Sequence, residues 1–259
     1  MKKELHIVGI QADLVWEKPT KNLKFFEDRI TALPTTTNLV VLPEMFSTGF
    51  TMQPNSVAEP MHGLSITWMK RLAQKFDFAI TGSLIIEEDN KFYNRMVFVH
   101  PSGKIDHYDK KHSFTLAGEH KTYTSGKEII TIDYQGWKIR PLICYDLRFP
   151  VWSRNTENYD LLIYVANWPV TRVIAWDTLL KARAIENMSY TIGVNRIGKD
   201  ANNNQYSGSS IIVDFLGEEQ SILAENEIGT VTAVVNKEKQ NKVREKLGFL
   251  EDKDAFKII

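Results

Sequence analysis

The sequence predicts an α/β protein. Short runs rich in Val, Ile and Leu recur along its 259 residues, and several are nearly continuous in those residues, which marks strands buried on both faces. Between them lie stretches whose apolar residues fall three and four apart, the period of a helix with one buried face. The alternation implies at least two sheet-forming halves. A chain of this length can bury a sizeable core as one large domain, and residues 1–259 are read as a single domain without repeats or linkers.

The strand-like runs cover residues 5–10, 38–42, 78–86, 95–99, 138–143, 160–165, 190–194, 209–213 and 229–235. Thr20 is placed to cap a helix carrying Leu23, Phe26 and Ile30 on one face. Ser65 is placed to cap a second, with Ile66, Met69, Ala73 and Phe76. A third covers residues 171–188, with Val173, Trp176, Leu180 and Ala184 in one stripe. These stripes read as core-packing faces. A fourth helix covers residues 236–247 with Asn236 as its N-cap, and its charged surface suits solvent or a partner.

Composition narrows the function. Hydrophobic residues make up 43% and charged residues 25%, as in an ordinary globular chain. Lys+Arg and Asp+Glu both number 32, so the net charge is zero, which argues against a general nucleic-acid or membrane-surface binder. No apolar stretch approaches the ~20 residues needed to span a bilayer. The residues leading into the first strand carry no signal-peptide core, and with one cysteine the reducing cytoplasm is the expected compartment. The six histidines show no H-x-x-x-H spacing, one cysteine excludes C-x-x-C, and there is no G-x-S-x-G, P-loop or G-x-G-x-x-G. Neither a metal nor a cofactor is expected.

The only cysteine, Cys144, closes the run Pro141-Leu142-Ile143 and is followed by Tyr145-Asp146-Leu147-Arg148-Phe149-Pro150. A lone cysteine is either a small buried hydrophobe or a thiol kept for its chemistry. Here an apolar strand breaks into a turn-prone segment, which would lift the sulfur to the strand's carboxyl end, where backbone N–H groups face a reacting oxygen. Glu44 follows another strand-like run, Lys110 lies in Tyr108-Asp109-Lys110-Lys111-His112, and Glu119 lies between that segment and the cysteine. All four are expected at or just beyond strand ends. Such a set supports acyl transfer. The thiol attacks a carbonyl or nitrile carbon, a carboxylate takes its proton and passes it to the leaving amine, and the lysine stabilises the oxyanion. The Tyr145 N–H is a second oxyanion donor.

Bland readings stand beside these. Glu44 could be a solvated edge carboxylate. Lys110 and Lys111 are adjacent, and only one can point inward. Glu128 lies close to Glu119. Arg148 and Arg172 could be ordinary surface charges, and Phe46, Phe50, Phe114, Tyr145 and Trp168 either wall a small pocket or belong to the core.

Leu42-Pro43-Glu44, Tyr108-Asp109-Lys110-Lys111-His112 and Ile143-Cys144-Tyr145-Asp146-Leu147-Arg148-Phe149-Pro150 resemble the three signature regions of the nitrilase (carbon–nitrogen hydrolase) superfamily, in the same order. The likeness continues through Asn167-Trp168-Pro169 and residues 181–187, 193–198, 206–210 and 214–217, nearly the whole chain. It implies a four-layer α-β-β-α sandwich of the nitrilase type, paired into a homodimer or higher homo-oligomer. It also implies a Glu-Lys-Cys triad, with Glu44 the general base, Lys110 the oxyanion stabiliser and Cys144 the nucleophile. Glu119 matches the second glutamate of many members, which orients the lysine.

The flanks of Glu44, Lys110 and Glu119 look most like the omega-amidase branch. That resemblance implies hydrolysis of the terminal amide of 2-oxo acid amides such as 2-oxoglutaramate and 2-oxosuccinamate, with water as the second substrate. The carboxylate at the far end of such substrates needs a cation, and Arg148 and Arg172 each lie just past an expected strand end. Tyr145, Arg148, Trp168 and Arg172 are therefore the substrate-binding candidates. A nitrilase, an N-carbamoyl-amine hydrolase or an aliphatic amidase would share the same four residues. A catalytically silent scaffold and a thiol redox sensor are the readings outside hydrolysis.

Overall fold

In the computed structural model, which describes residues 2–258, the strand β1 (Glu4–Gln11) sets the layering. Its Leu5 and Ile7 join one core and its Val8 and Ile10 another, as the two-residue period of a strand requires. The split recurs in β2 (Leu39–Val41), β3 (Ala79–Glu88) and β4 (Lys91–Val99). Leu39, Val41, Ala79, Met96 and Phe98 go to the first core, and Val40, Ile80, Leu84, Val97 and Val99 to the second. β5 (Ile105–Asp109) follows. The second half supplies β6 (Ile132–Tyr134), β7 (Trp137–Ile143), β8 (Leu161–Ala166) and β9 (Tyr190–Asn195). Next come a hairpin of β10 (Ile197–Lys199) and β11 (Gln205–Ser207), then β12 (Ile211–Val213), β13 (Glu219–Ile222) and β14 (Gly229–Asn236).

Two six-stranded sheets result, ordered β14-β1-β2-β3-β4-β5 and β13-β12-β9-β8-β7-β6. Each has a parallel centre, β1-β2-β3 in the first and β7-β8-β9 in the second, with antiparallel flanks. The sheets pack face to face. Gly9 marks their close approach, since a Cβ there would sit 2.7 Å from Val194 and 3.1 Å from Ile192. Helices α1 (Pro19–Thr31) and α2 (Leu64–Phe76) cover the outer face of the first sheet with Leu23, Phe26, Ile30, Ile66, Met69 and Ala73. α3 (Glu119–Thr122) and α4 (Pro150–Ser153) are single turns. α5 (Val173–Asn187) lies on the outer face of the second sheet, where Gly193 makes room for it. A Cβ there would meet Leu180 at 2.4 Å and Trp176 at 2.8 Å. α6 (Lys237–Leu247) closes the fold. The layers run helix, sheet, sheet, helix, as the resemblance implies.

Several local expectations change. Thr20 does not cap α1. Pro19 opens the helix behind Lys18, because its fixed φ is already helical and it has no N–H to satisfy. Ser65 lies inside α2, which Gly63 precedes, and its N–H donates to Glu59 Oε2 over 2.7 Å, so a side chain from outside the helix serves as cap. Asn236 caps α6 as expected, accepting the Lys239 N–H over 2.8 Å. One side of that charged helix is docked, with Gln240 buried and Lys237 and Arg244 reaching Asp160 at 2.7 and 3.3 Å. Phe46 is core, packed among Phe26 and Trp68. The sequence pattern does not foretell β5, β6, β10, β11 or β13, since three to five residues carry too little of a period. Among the described residues no helix is long and apolar enough to cross a membrane.

Candidate active site

Four strands of the two sheets bring side chains together at their carboxyl ends, the usual place for a site in a parallel sheet. β2 runs out through Leu42 and Pro43 into Glu44, β5 into Lys110, β7 into Cys144 and β8 into Asn167. Glu119 departs from the expectation. It stands at the head of α3, after a loop, and its carboxylate turns back into the protein.

Lys110 Nζ donates to Glu44 Oε1 at 2.9 Å and to both oxygens of Glu119 at 3.0 Å. The three side chains are almost wholly buried. Two charges of one sign and one of the other are tolerated there because nearly every oxygen has a donor. Asn94 Nδ2 reaches Glu44 Oε1 at 2.7 Å and Glu119 Oε1 at 3.2 Å. The Asn167 N–H donates to Glu44 Oε2 at 2.8 Å, and the Phe114 N–H donates to Glu119 Oε2. Burial alone would push the Lys110 ammonium down, but the charges of Glu119 and Glu44 reverse that and hold it well above the usual lysine range. Burial pushes the Glu119 carboxyl up, Lys110 opposes, and Glu44 adds to the rise.

Cys144 opens a turn of tight helix, Cys144–Arg148, with φ at +45°. That left-handed backbone costs a non-glycine residue roughly 1–3 kcal/mol and needs a surrounding structure that enforces it. Met45, next to Glu44, carries the same feature at +44°. Burial pushes the thiol well up, Glu44 pushes it further, and Lys110 pulls it back. At neutral pH the sulfur is a thiol, and a neighbouring base is needed to take its proton.

Cys144 lies on a cavity of about 470 Å3 that Tyr145, Arg148, Asn167, Trp168 and Arg172 also line. The structure thus gathers every substrate-binding candidate around the thiol. The Arg148 guanidinium sits 4.9 Å over the Trp168 ring and that of Arg172 5.2 Å over Phe114. The Trp168 indole N–H donates to the Arg172 backbone carbonyl over 2.7 Å, which ties the ring under Arg148 to the Arg172 backbone. Among the described residues neither guanidinium is paired with a carboxylate. Lys111 turns away to lie over Trp152 at 5.1 Å, and Glu128 is exposed. Sequence reasoning missed Asn94 and Ser83. Their one signal is a small polar residue inside a strand. Among the described residues no three His, Cys, Asp or Glu side chains gather into a metal-binding group.

The chain belongs to the carbon–nitrogen hydrolase family, whose profile matches residues 7–245. It is a hydrolase of carbon–nitrogen bonds. Omega-amidase YafV of Yersinia enterocolitica is 41% identical over 255 residues, covering 98% of this chain and 99% of that one. The 2-oxoglutaramate amidase of Bacillus subtilis is 33% identical over 256 residues, covering 95% and 97%. Among solved structures, a carbon–nitrogen hydrolase superfamily protein of Xanthomonas campestris, with an arsenic adduct in its active site, matches with a TM-score of 0.96 at 35% identity, covering 99% and 100%.

Proposed function

We propose that this chain is an omega-amidase that releases ammonia from 2-oxo acid amides such as 2-oxoglutaramate and 2-oxosuccinamate, through a thioester on Cys144. The observation that carries the reading is one cavity holding a buried thiol and two guanidinium groups that have no carboxylate partner among the described residues. An uncharged amide has no use for those cations, whereas an acyl chain ending in a carboxylate does. The names of the relatives point the same way.

Cys144 attacks the amide carbon while Glu44 takes its proton. Loss of the proton to bulk water would place a thiolate beside two carboxylates and one ammonium, so attack and transfer to Glu44 run together. Lys110, turning one of its two Glu119 bonds over to the substrate, and the Tyr145 N–H hold the oxyanion, and the remaining bond to Glu119 keeps Lys110 aimed. Glu44 hands its proton to the nitrogen, ammonia leaves, and water activated by Glu44 hydrolyses the thioester. Arg148 and Arg172 take the far carboxylate, with Trp168 as the platform under Arg148. The chain acts as a single domain in the cytoplasm and as a homodimer or higher homo-oligomer, for which exposed Ile174 and Ile185 on α5 offer apolar surface.

Parallel assays with 2-oxoglutaramate, a simple aliphatic amide, an N-carbamoyl compound and a nitrile test this. The omega-amide should have the highest kcat/KM. A higher value for any of the others would replace the substrate assigned here with that class.

A further inference from the structure

Asn94, in β4, is buried and has no part in the steps above. Its orientation is fixed by a chain of donors. The Met45 N–H donates to Ser83 Oγ over 2.8 Å, so the Ser83 hydrogen is free for Asn94 Oδ1, 2.8 Å away. The carboxamide nitrogen therefore faces Glu44 Oε1 and Glu119 Oε1, with one hydrogen for each.

An ionised carboxylate offers about four acceptor positions. On Glu119 all are filled: Oε1 takes Lys110 and Asn94, and Oε2 takes Lys110 and the Phe114 N–H. On Glu44, Oε1 takes Lys110 and Asn94, and Oε2 takes the Asn167 N–H. The Asn167 side chain gives one hydrogen of its Nδ2 to the Glu44 carbonyl at 2.7 Å and the other to Oε2 only at 3.4 Å, a long and weak bond. Among the described residues, Glu44 Oε2 therefore carries the most weakly filled position of the two carboxylates.

We propose that Asn94 is a positioning residue that divides labour between the two glutamates: it closes Oε1 of both, so that Glu44 Oε2 is the oxygen that receives the Cys144 proton and Glu119 stays ionised behind Lys110. This rests on Glu44 being the base of the reaction proposed above. The titratable and charged groups facing the two carboxylates are Lys110, Cys144 and Tyr123, whose phenol is tied to the Thr51 carbonyl at 2.7 Å.

Removing N–H donors from the ionised form makes the pair take up its proton at higher pH. Two variants test this. Asn94→Ala removes both donors, whereas Ser83→Ala keeps them, frees the carboxamide to turn and leaves the Met45 N–H without its acceptor. The acid limb of the kcat profile should move up by about one pH unit in Asn94→Ala and by less in Ser83→Ala, with KM little changed. The glutamate carboxyl carbons, followed by NMR titration in a Cys144→Ala background, should move in the same order. That titration decides the proposal without any turnover. Carboxyl titrations that stay in place in both variants overturn it, even if kcat falls, because the residue is then merely structural. A wild-type protein that releases no ammonia from 2-oxoglutaramate sinks the substrate, and the carboxyl titration still decides the role of Asn94.

Discussion

The phenol of Tyr108 donates to Asp146 Oδ2 over 2.8 Å, and this bond ties the strand that ends before Lys110 to the turn that starts at Cys144. Asp146 also accepts the His112 N–H at 3.0 Å, His112 Nδ1 at 2.7 Å and the Ile143 N–H at 3.1 Å. One buried carboxylate thus fixes the lysine loop and the cysteine turn in register. Burial, then the Asp146 charge, pushes the Tyr108 phenol well up, so it stays a donor throughout the working range. Tyr108→Phe leaves that carboxylate short of one donor. Unfolding in urea should show a loss of about 1.5–3 kcal/mol, the cost of a hydrogen bond to a charged group. An unchanged midpoint would show that the tie contributes nothing.

The arginines give a second prediction. Arg148→Lys and Arg172→Lys keep the charge and lose the bidentate fork. At least one should raise KM for 2-oxoglutaramate by roughly tenfold, or about 1.4 kcal/mol. Turnover of an uncharged amide should not respond. If neither variant changes the affinity, the carboxylate is held elsewhere.

The thiol gives a pH dependence. Burial raises the Cys144 pKa in the folded protein, while in the unfolded chain it returns to about 8.5. Above that value the folded state binds more protons than the unfolded state, so stability is complete below it and falls as pH rises towards the folded pKa. Cys144→Ala should therefore lose less stability than wild type in the alkaline range, as read from melting temperature against pH. Parallel curves would contradict the assignment.

Packing gives a fourth. A methyl group at Gly193 would meet Leu180 and Trp176, and one at Gly9 would meet Val194 and Val231. Gly193→Ala and Gly9→Ala should each cost about 1–3 kcal/mol, as overpacking does, and equilibrium unfolding measures it. A neutral result at Gly9 would mean that the sheets separate easily.

The layers, and Glu44 and Cys144 as candidates, were legible in the sequence for one reason: buried parallel strands are long in Val, Ile and Leu, and the break at the end of each stands out. Lys110 follows β5, whose Ile105-Asp106-His107-Tyr108-Asp109 has no such run, and the resemblance to the family singles it out. Asn94 and Ser83 were hidden because a polar residue inside a strand gives no sign of which face it takes or what it meets across the sheet. The helix starts misled at Thr20 and Ser65 because Pro19 and the distant Glu59 do the work a local cap would do. Glu119 reaches Lys110 only through a loop and a single helical turn, which no period announces.

Ammonia release from 2-oxoglutaramate by the wild-type protein, with Cys144→Ala in parallel, tests the central claim most directly. The account predicts rapid release that the variant abolishes, with 2-oxoglutarate as the other product. Normal turnover by Cys144→Ala, or no release by the wild type, would contradict it.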